Sequence, residues 1–593
     1  MRSTNAFTSK RAGFRLARFL MLASAALLAA NAQPSVNASG IVNAASYTPE
    51  GMPGSGIAQG AFFAIFGTGL GPSVPQQAES FPLPTSGGLG GTTIQVAVAG
   101  TTLYAIVSYT SADQLLGILP SSTPIGAGTL TVTYNGQSSA PRPFQVVPSA
   151  FGIFAVNQGG SGAAVVTDAQ YQLITPSHSA KPGDILTIWG TGIGASPGNE
   201  ALGPPTPTNL THLSVSVLAG GQAASVLYQG RSGCCSGLDQ ITFQMPQVTA
   251  GCAVPLAVTV GGVPSNFMSL ALTPAGGTCA AAPAGAPSLP ASFVSKVANG
   301  EPVTIAQVEF NRMQEIGLGI IQGWGHVDGG YALFNSSTGS SLPALLSSLF
   351  LAGPADNYGP TLPFQPGSCS IGTTLTPLPA LPGTGVDAGS SLTLAAGSEK
   401  IALTQVTPGS YGSGFCPGST TEVCAFIQAE AAETPYLGFG PLTFTGTGGT
   451  AVGAFTTAAV LAAPLANVSL PSPGSSIPRD KDLTISWTGG GDDYVVVSGS
   501  VFVSTGSGTL SGTLDRIPGY FAGFSCMANA SAGSLTVPAW VLSAIPPSTL
   551  QTDGGDDLFI AQQSIGSYFA TPGLDLGIFS YFETHGAFNY VYQ

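Results

Sequence analysis

Serine nucleophiles, zinc helices and phosphate loops each leave a fixed spacing in a sequence, and none of the three occurs in these 593 residues. No serine sits in a G-x-S-x-G elbow. There is no H-E-x-x-H pair and no G-x-x-x-x-G-K-[ST] loop. The four histidines, His178, His212, His326 and His585, are far apart in the chain, and a general base needs a positioned partner. Acidic clusters are the better candidates for chemistry. Asp492 and Asp493 fall in an expected hairpin turn, and Asp553, Asp556 and Asp557 crowd one glycine-rich loop. Calcium takes several oxygens from flexible loops of this kind, although Asp and Gly also favour turns for their own backbone reasons. Calcium at these two loops is therefore the one cofactor considered, and no residue is assigned a catalytic, cofactor-binding or metal-binding role. Exposed rings would suit a glycan or protein surface. Tyr520, Phe521, Phe524, Tyr568, Phe569, Tyr581, Phe582, Phe588, Tyr590 and Tyr592 gather toward the end of the chain. Ordinary strand core is the more usual place for such rings.

The compartment in which such residues would act is written at the start. Arg2, Lys10, Arg11, Arg15 and Arg18 precede an apolar run from Phe19 to Ala30, closed by Ala30-Asn31-Ala32. A basic region, a short apolar region and a small-x-small site make a signal peptide over residues 1–32. Its removal takes five of the 14 basic residues and none of the 27 acidic ones, leaving nine against 27 and a net charge of −18. Nine scattered cations cannot follow a phosphate backbone, so nucleic acid is not an expected partner. Only 7% of residues are charged, yet 44% are hydrophobic and 8% aromatic, enough to build cores rather than a disordered chain. No apolar run is long enough for an integral membrane span.

Eight cysteines in an exported chain read as disulfides. Cys234 and Cys235 are neighbours, and a bond between neighbours is unfavourable, so each is expected to pair separately with Cys252 and Cys279. Cys416 with Cys424 would close a local loop, leaving Cys369 and Cys526.

An internal repeat organises the first half. Residues 58–71 read AQGAFFAIFGTGLG and residues 180–194 read AKPGDILTIWGTGIG, with Gly67-Thr68-Gly69 matching Gly190-Thr191-Gly192 at an offset of 123. Asp113-Gln114 and Pro120 match Asp239-Gln240 and Pro246 at an offset of 126. Thr131-Val132-Thr133 and Gly136 match Ala257-Val258-Thr259 and Gly262 at the same 126. Four anchors in one order make a repeat. Each unit holds short strands such as Phe63–Phe66 and Leu186–Trp189, broken by Gly-Thr-Gly. Period-two strands follow at 93–98 and 213–217. Such units suit a sandwich of roughly a hundred residues.

This pattern resembles the IPT/TIG immunoglobulin-like domains, and the pair is similar to a tandem in a family of bacterial secreted proteins. The resemblance implies an immunoglobulin-like fold for residues 41–148 and 149–274 and is nearly silent about function. The first unit departs from the second in having Gln59 where the other has Pro182, and in a Gly/Pro-rich excursion between Pro72 and Gly91. Residues 275–292 are small and proline-rich, an expected linker. Beyond it a β-rich domain is expected over 293–466 and a sandwich-like one over 467–593. Ala306, Val308 and Phe310 alternate as a strand, Leu342–Leu351 is a candidate helix, and residues 483–497 read as a hairpin. Leu381-Pro382-Gly383-Thr384-Gly385 matches a wall-sorting pattern but lacks the apolar span and basic tail such a signal needs, so it reads as a turn. The expected whole is an all-β, tandem immunoglobulin-like protein, secreted or held at the cell surface. Its expected role is non-catalytic binding or adhesion to an extracellular glycan or protein. A structural spacer, or an extracellular carbohydrate-active enzyme in 293–593, are the alternatives.

Overall fold

A computed structural model describes residues 33–248, 250–279, 290–317, 326–337, 366–367, 369–375, 383–413, 437–504, 519–548, 556–564, 567–588 and 590–593. The expected signal peptide 1–32, the stretch Leu342–Leu351, Cys416, Cys424 and Asp553 lie outside them. The described chain is all-β, with tandem immunoglobulin-like sandwiches followed by a further β-rich half.

The two repeats are built strand for strand alike. The first contains β1 (Ser35–Asn43), β2 (Ile57–Ala58), β3 (Phe62–Thr68), β4 (Thr92–Val98), β5 (Thr101–Thr110), β6 (Gln114–Ile118), β7 (Gly126–Tyr134) and β8 (Arg142–Val147). The second contains β9 (Gly152–Ile153), β10 (Gly162–Ala163), β11 (Ile185–Thr191), β12 (Val215–Ala219), β13 (Gln222–Arg231), β14 (Asp239–Gln244), β15 (Gly251–Val260) and β16 (Met268–Leu272). The first runs β1-β3-β6-β5-β4-β7-β8-β2 across the sheet; the second runs β9-β11-β14-β13-β12-β15-β16-β10, each strand in its counterpart's place. In both, the long fifth strand serves two layers, bending at a bulge between Val107 and Tyr109 or between Val226 and Tyr228. A bulge adds a residue on one side and sharpens the twist, which lets one strand turn the corner of a sandwich.

Alternation along these strands supplies the cores. Phe63, Ile65, Ile94, Val96, Leu130 and Val132 are buried in the first repeat, and Leu186, Ile188, Val217, Ile241, Phe243 and Val258 in the second. Each such side chain contributes about 1.5–3 kcal/mol by leaving water. The repeated glycines have a steric cause. A Cβ on Gly67 would strike the Ser35 carbonyl, and one on Gly190 the Gly152 carbonyl, because the first strand of each repeat passes directly over that point.

The C-terminal half holds one mixed sheet of 14 strands. Its centre is the parallel pair Val303–Gly317 and Leu574–Phe588, joined over registers from Ile305 with Leu576 to Gly317 with Ala587. Two separate cores line it. One gathers Val308, Phe310, Phe334, Leu392, Phe444 and Phe579; the other gathers Trp487, Val497, Phe524, Ile560, Tyr590 and Tyr592. Short helix α1 (Ala291–Ala298) leads into this sheet, and Lys296 bonds Asp575 at 2.7 Å. The second repeat meets the second of these cores where Phe267 stacks on Trp540 with centroids 5.2 Å apart.

Two expectations are corrected. Residues 483–497 do not form a hairpin, because Leu483–Ser486 pairs with Ser534–Val537 while Tyr494–Ser504 pairs with Gly519–Asn529 and Asp557–Gln563. Between them Trp487 turns inward and donates its indole N–H to the Ala530 carbonyl at 2.8 Å. The three following glycines, all at positive φ, carry the chain into another sheet instead of reversing it. The disulfides also differ from expectation. Cys234 bonds Cys235, and Cys252 bonds Cys279. The adjacent pair lies in the turn between β13 and β14, whereas Cys252 stands beyond the far end of β14, so the strand's length separates them. Cys369 bonds Cys526, the pairing left after the local ones, and the two are register partners in the sheet.

Candidate functional site

Most of the described C-terminal rings are core. Phe524 and Tyr592 are fully buried, Tyr581 and Tyr590 are 1% exposed and Phe582 2%. Phe521 is buried, and Tyr568 and Phe569 are partly so. The side chains of Tyr520 and Phe588 fall outside the described residues. The strand alternation that suits a core took these residues.

Two of the carboxylates, Asp493 and Asp557, serve the fold's own hydrogen bonds. Asp493 Oδ2 accepts from Gln562 Nε2 at 2.8 Å and from the Tyr581 hydroxyl, tying the two cores' strands together. Burial raises the Asp493 carboxyl above the usual carboxylate range, and burial likewise raises the Tyr581 hydroxyl, with the Asp493 contact adding to it. Asp557 accepts from the Ser500 amide and hydroxyl, both at 2.7 Å. Asp556, 3% exposed, is pushed up to about 6 by desolvation. Asp492 is exposed. Among the described residues no three His, Cys, Asp or Glu side chains come together as metal ligands. His178 Nε2 lies 2.9 Å from Asp168 Oδ2 at the surface, His212 is exposed, and His585 is 7% exposed within the sheet. The side chain of His326 falls outside the described residues.

The junction between the repeats centres on a residue that sequence reading passed over. Arg231 ends β13 and is the register partner of Asp239, and both are completely buried. Its Nη1 donates to Asp239 Oδ1 at 2.6 Å and to the Gly60 carbonyl of the first repeat at 3.1 Å. Its Nη2 reaches the Gly194 carbonyl at 3.0 Å and its Nε the Ser196 hydroxyl at 3.2 Å. Asp239 Oδ2 accepts from the Ile193 amide at 2.9 Å. Burial pushes Asp239 up to about 6 while the guanidinium draws it back. Gly60 must be glycine here, since its φ is +74° and a Cβ would collide with Arg231. Around this clasp, the Phe62 amide donates to Thr191 Oγ1 at 2.8 Å. Asn43 Nδ2 donates to the Ala150 carbonyl at 2.9 Å, and the Ser121 amide to Glu200 Oε1 at 3.1 Å. Asp113-Gln114 and Asp239-Gln240 marked the repeat in sequence, but only the second aspartate gained an arginine partner.

A second device occurs once in each repeat. Asn43 Oδ1 accepts from the Ala45 and Ser46 amides, and the Tyr47 amide returns to the Asn43 carbonyl. Asp168 Oδ1 accepts from Gln170 and Gln172, and the Tyr171 amide returns to the Asp168 carbonyl. Both tyrosines have positive φ, 53° and 60°. Tyr47 lies 6.2 Å from the Phe66 ring and Tyr171 6.4 Å from Trp189, at nearly equal tilts of 39° and 37°. The spacing differs by one residue between the copies, which hid the device from a fixed-offset comparison. Burial raises the Asp168 carboxyl, but hydrogen bonds from His178, Gln172 and Gln170 outweigh it, leaving that group below its ordinary value.

Two concavities add no chemistry. One, of about 260 Å³, is lined by residues 33–36 and 140–142; the other, about 510 Å³ and open, by Gly220, Gln222, Gln247 and Val248. Arg142, the one charged residue on either, donates to the Val36 carbonyl at 3.0 Å.

Strand order and junction together define a protein of tandem immunoglobulin-like sandwiches. No family model matches the chain, and no curated protein matches it. Among solved structures it is similar to a gamma-CGTase from alkalophilic Bacillus clarkii, at 12% identity over 48% of this chain and 35% of that one, TM-score 0.15. A titin tandem of Ig domains matches at 9% identity over 41% of this chain and 97% of that one, TM-score 0.12. Surface layer protein SbsC, domains 1–6, matches at 11% identity over 97% and 56%, TM-score 0.16. The chain thus spans about a third of the first and just over half of the third. At TM-scores this low they add nothing to the strand order. Among the described residues no helix is long and apolar enough to cross a membrane.

Proposed function

We propose that this chain is a secreted or cell-surface binding protein of adhesion type, without catalysis, whose paired IPT/TIG-like repeats form a stiff arm bearing a β-rich body. The observation that carries the reading is the Arg231 clasp. A fully buried guanidinium spending its donors on both repeats removes the hinge expected between tandem domains. Reach and fixed orientation are useful to a protein that displays a surface, and they give an enzyme no particular advantage. Secretion rests on the basic, apolar and small-x-small order of residues 1–32, and three disulfides fit an oxidising compartment. We divide the mature chain at 41–148, 149–274, a linker at 275–292, 293–466 and 467–593. The partner is an extracellular glycan or protein.

The test is to incubate the full-length protein with whole bacterial cells and with insoluble cell-envelope polymers, scoring bound protein and released product separately. Binding without product supports the reading. Product formation abolished by Asp493→Asn overturns it in favour of an enzyme, and neither binding nor product overturns it in favour of a spacer.

A further inference from the structure

The outward faces of β3 and β11 occupy equivalent places in the two repeats but carry different chemistry. On the first, Phe62, Ala64 and Phe66 point outward, with Val42 beside Ala64 and with Leu116 and Ile118 on the neighbouring strand. One end of this face is a seat for protein. Its Phe62 and Ile118 pack against Ala201 of the second repeat, and Gly237 leaves room for the Phe62 ring. On the second repeat the same positions hold Ile185, Thr187 and Trp189, with Thr167 in place of Val42, Thr242 in place of Leu116 and Gln244 in place of Ile118. Four apolar side chains have become hydroxyls or an amide, while the ring pair is kept. Tyr171 is 76% exposed and Ile185 48%.

We propose that this face of the second repeat, centred on the Tyr171–Trp189 pair, is a binding platform for a neutral polysaccharide. A protein partner of the kind seated on the first repeat would need the apolar residues that have been replaced. An anionic polymer or membrane would need unpaired cations, whereas His178 and Lys181, the nearest in the chain, each face an aspartate at 2.9 and 3.0 Å, and the strands themselves carry Gln240, Thr187, Thr242 and Gln244. Sugars offer the complementary surface, since the C–H side of a pyranose ring stacks on an aromatic face while its hydroxyls exchange hydrogen bonds with amides and hydroxyls, which both donate and accept. The rings are also held in place beforehand. Trp189 donates its indole N–H to Thr167 Oγ1 at 3.0 Å, fixing its plane, and Tyr171 sits on the turn tied by Asp168. Pre-set rings lose little freedom on binding. The positive φ belongs to the turn and is shared with Tyr47; what sets Tyr171 apart is that its ring stays 76% exposed.

The inference deepens the reading of a non-catalytic extracellular binder and is tested on the full-length protein by native affinity electrophoresis. The gels contain hydroxyethylcellulose, laminarin, xyloglucan, galactomannan or amylopectin. Retardation by at least one polymer is expected, with Tyr171→Ala and Trp189→Ala each weakening it about tenfold, the order expected of one stacked ring. Trp189→Phe, the ring found in the first repeat, should retain most of the affinity, and Tyr104→Ala, an exposed ring elsewhere, all of it. Tyr171 is so exposed that its truncation leaves the fold intact, which keeps the test decisive if Trp189→Ala is unstable. No retardation by any of the five polymers, or retardation unchanged in Tyr171→Ala, overturns the platform. So does binding to phosphatidylglycerol vesicles in place of polysaccharide. Whole-cell binding that persists undiminished in Tyr171→Ala defeats the platform while leaving the broader reading standing; absence of whole-cell binding in the unaltered protein defeats that reading first.

Discussion

The two repeats share every main strand and differ at their surfaces, and the difference shows how a duplicated fold is put to two uses. In the first repeat one end of the outward face of β3, at Phe62 and Ile118, is closed by Ala201 of the following repeat. In the second, the equivalent Ile185 and Gln244 are exposed, and Thr187, Thr242 and Trp189 beside them are half-buried. The inward residues barely change, Phe63 and Ile65 answering to Leu186 and Ile188, because a sandwich core tolerates only volume-conserving exchange. The outward residues are free to follow whatever lies against them.

The strongest way to break the comparison is at the junction. Arg231→Met leaves Asp239 buried without its partner and should cost about 3–5 kcal/mol, read as a lower Tm, with a broadened distance distribution between the repeats in solution scattering. Arg231→Met with Asp239→Leu should recover much of that loss, since a packed apolar pair removes the orphaned charge. Full stability in the single variant would show that the clasp does not hold the repeats.

The disulfides should separate just as clearly. Cys252 and Cys279 close a loop with a separation of 27 residues, and Cys252→Ala with Cys279→Ala should cost about 3 kcal/mol through the unfolded chain's regained freedom. Cys234 and Cys235 close almost no chain, so replacing both with serine should change stability by less than about 1 kcal/mol. Thermal denaturation of the two double variants checks the ranking.

The junction also has a pH signature. Asp239 stands at about 6 in the folded protein, against an ordinary carboxyl near 3.9 when unfolded. The folded state then binds this proton more tightly, so between those values its contribution rises as pH falls, and above the folded value the penalty is fully present. Denaturant unfolding should show the unaltered protein gaining on the order of 2–3 kcal/mol relative to Asp239→Asn between pH 7 and pH 4. A parallel course for the two proteins would remove Asp239 as the source. Asp556 contributes with the same sign in both.

The smallest effect sharpens the comparison most. Ala64→Thr places a hydroxyl in a fully buried position among Val42, Tyr47 and Phe66 and should cost about 1–3 kcal/mol. Thr187→Ala, the reverse change at the equivalent half-buried position, gives up only the 3.0 Å contact with the Thr242 hydroxyl and should cost less than about 1 kcal/mol. Equal effects in thermal denaturation would mean that the two faces are not differently used.

Much of this architecture could be read from residue order alone. Gly67-Thr68-Gly69 and Gly190-Thr191-Gly192 marked equivalent strand ends because a backbone crossing demands glycine wherever it recurs. Cys369 and Cys526 were the pair left over if Cys416 and Cys424 closed a local loop, and the sheet joins them as register partners. Partners separated by long stretches of chain were not legible. Arg231 is one cation among few, and nothing near it in sequence predicts Gly60 as its acceptor. The supposed hairpin at 483–497 failed because Trp487 was committed to a distant carbonyl. The C-terminal rings were ambiguous because alternation looks the same whether a strand faces solvent or a second layer. Tyr171 and Trp189 were unremarked because they lie 18 residues apart, joined only through a turn.

The parallel pair at the centre of the C-terminal sheet sets a timetable for folding. Each repeat is assembled from strands close in the chain, so it can collapse soon after it is made. Val303–Gly317 must wait for a strand some 271 residues later, Ile305 meeting Leu576. Distant pairings pay their loop-closure entropy before any contact rewards it, and folding slows accordingly. Until that late strand arrives, Val308 and Phe310 have lost one flank of the shelter they will finally occupy. The interval is when this half is most exposed to wrong association, and when an external holdase would do the most good.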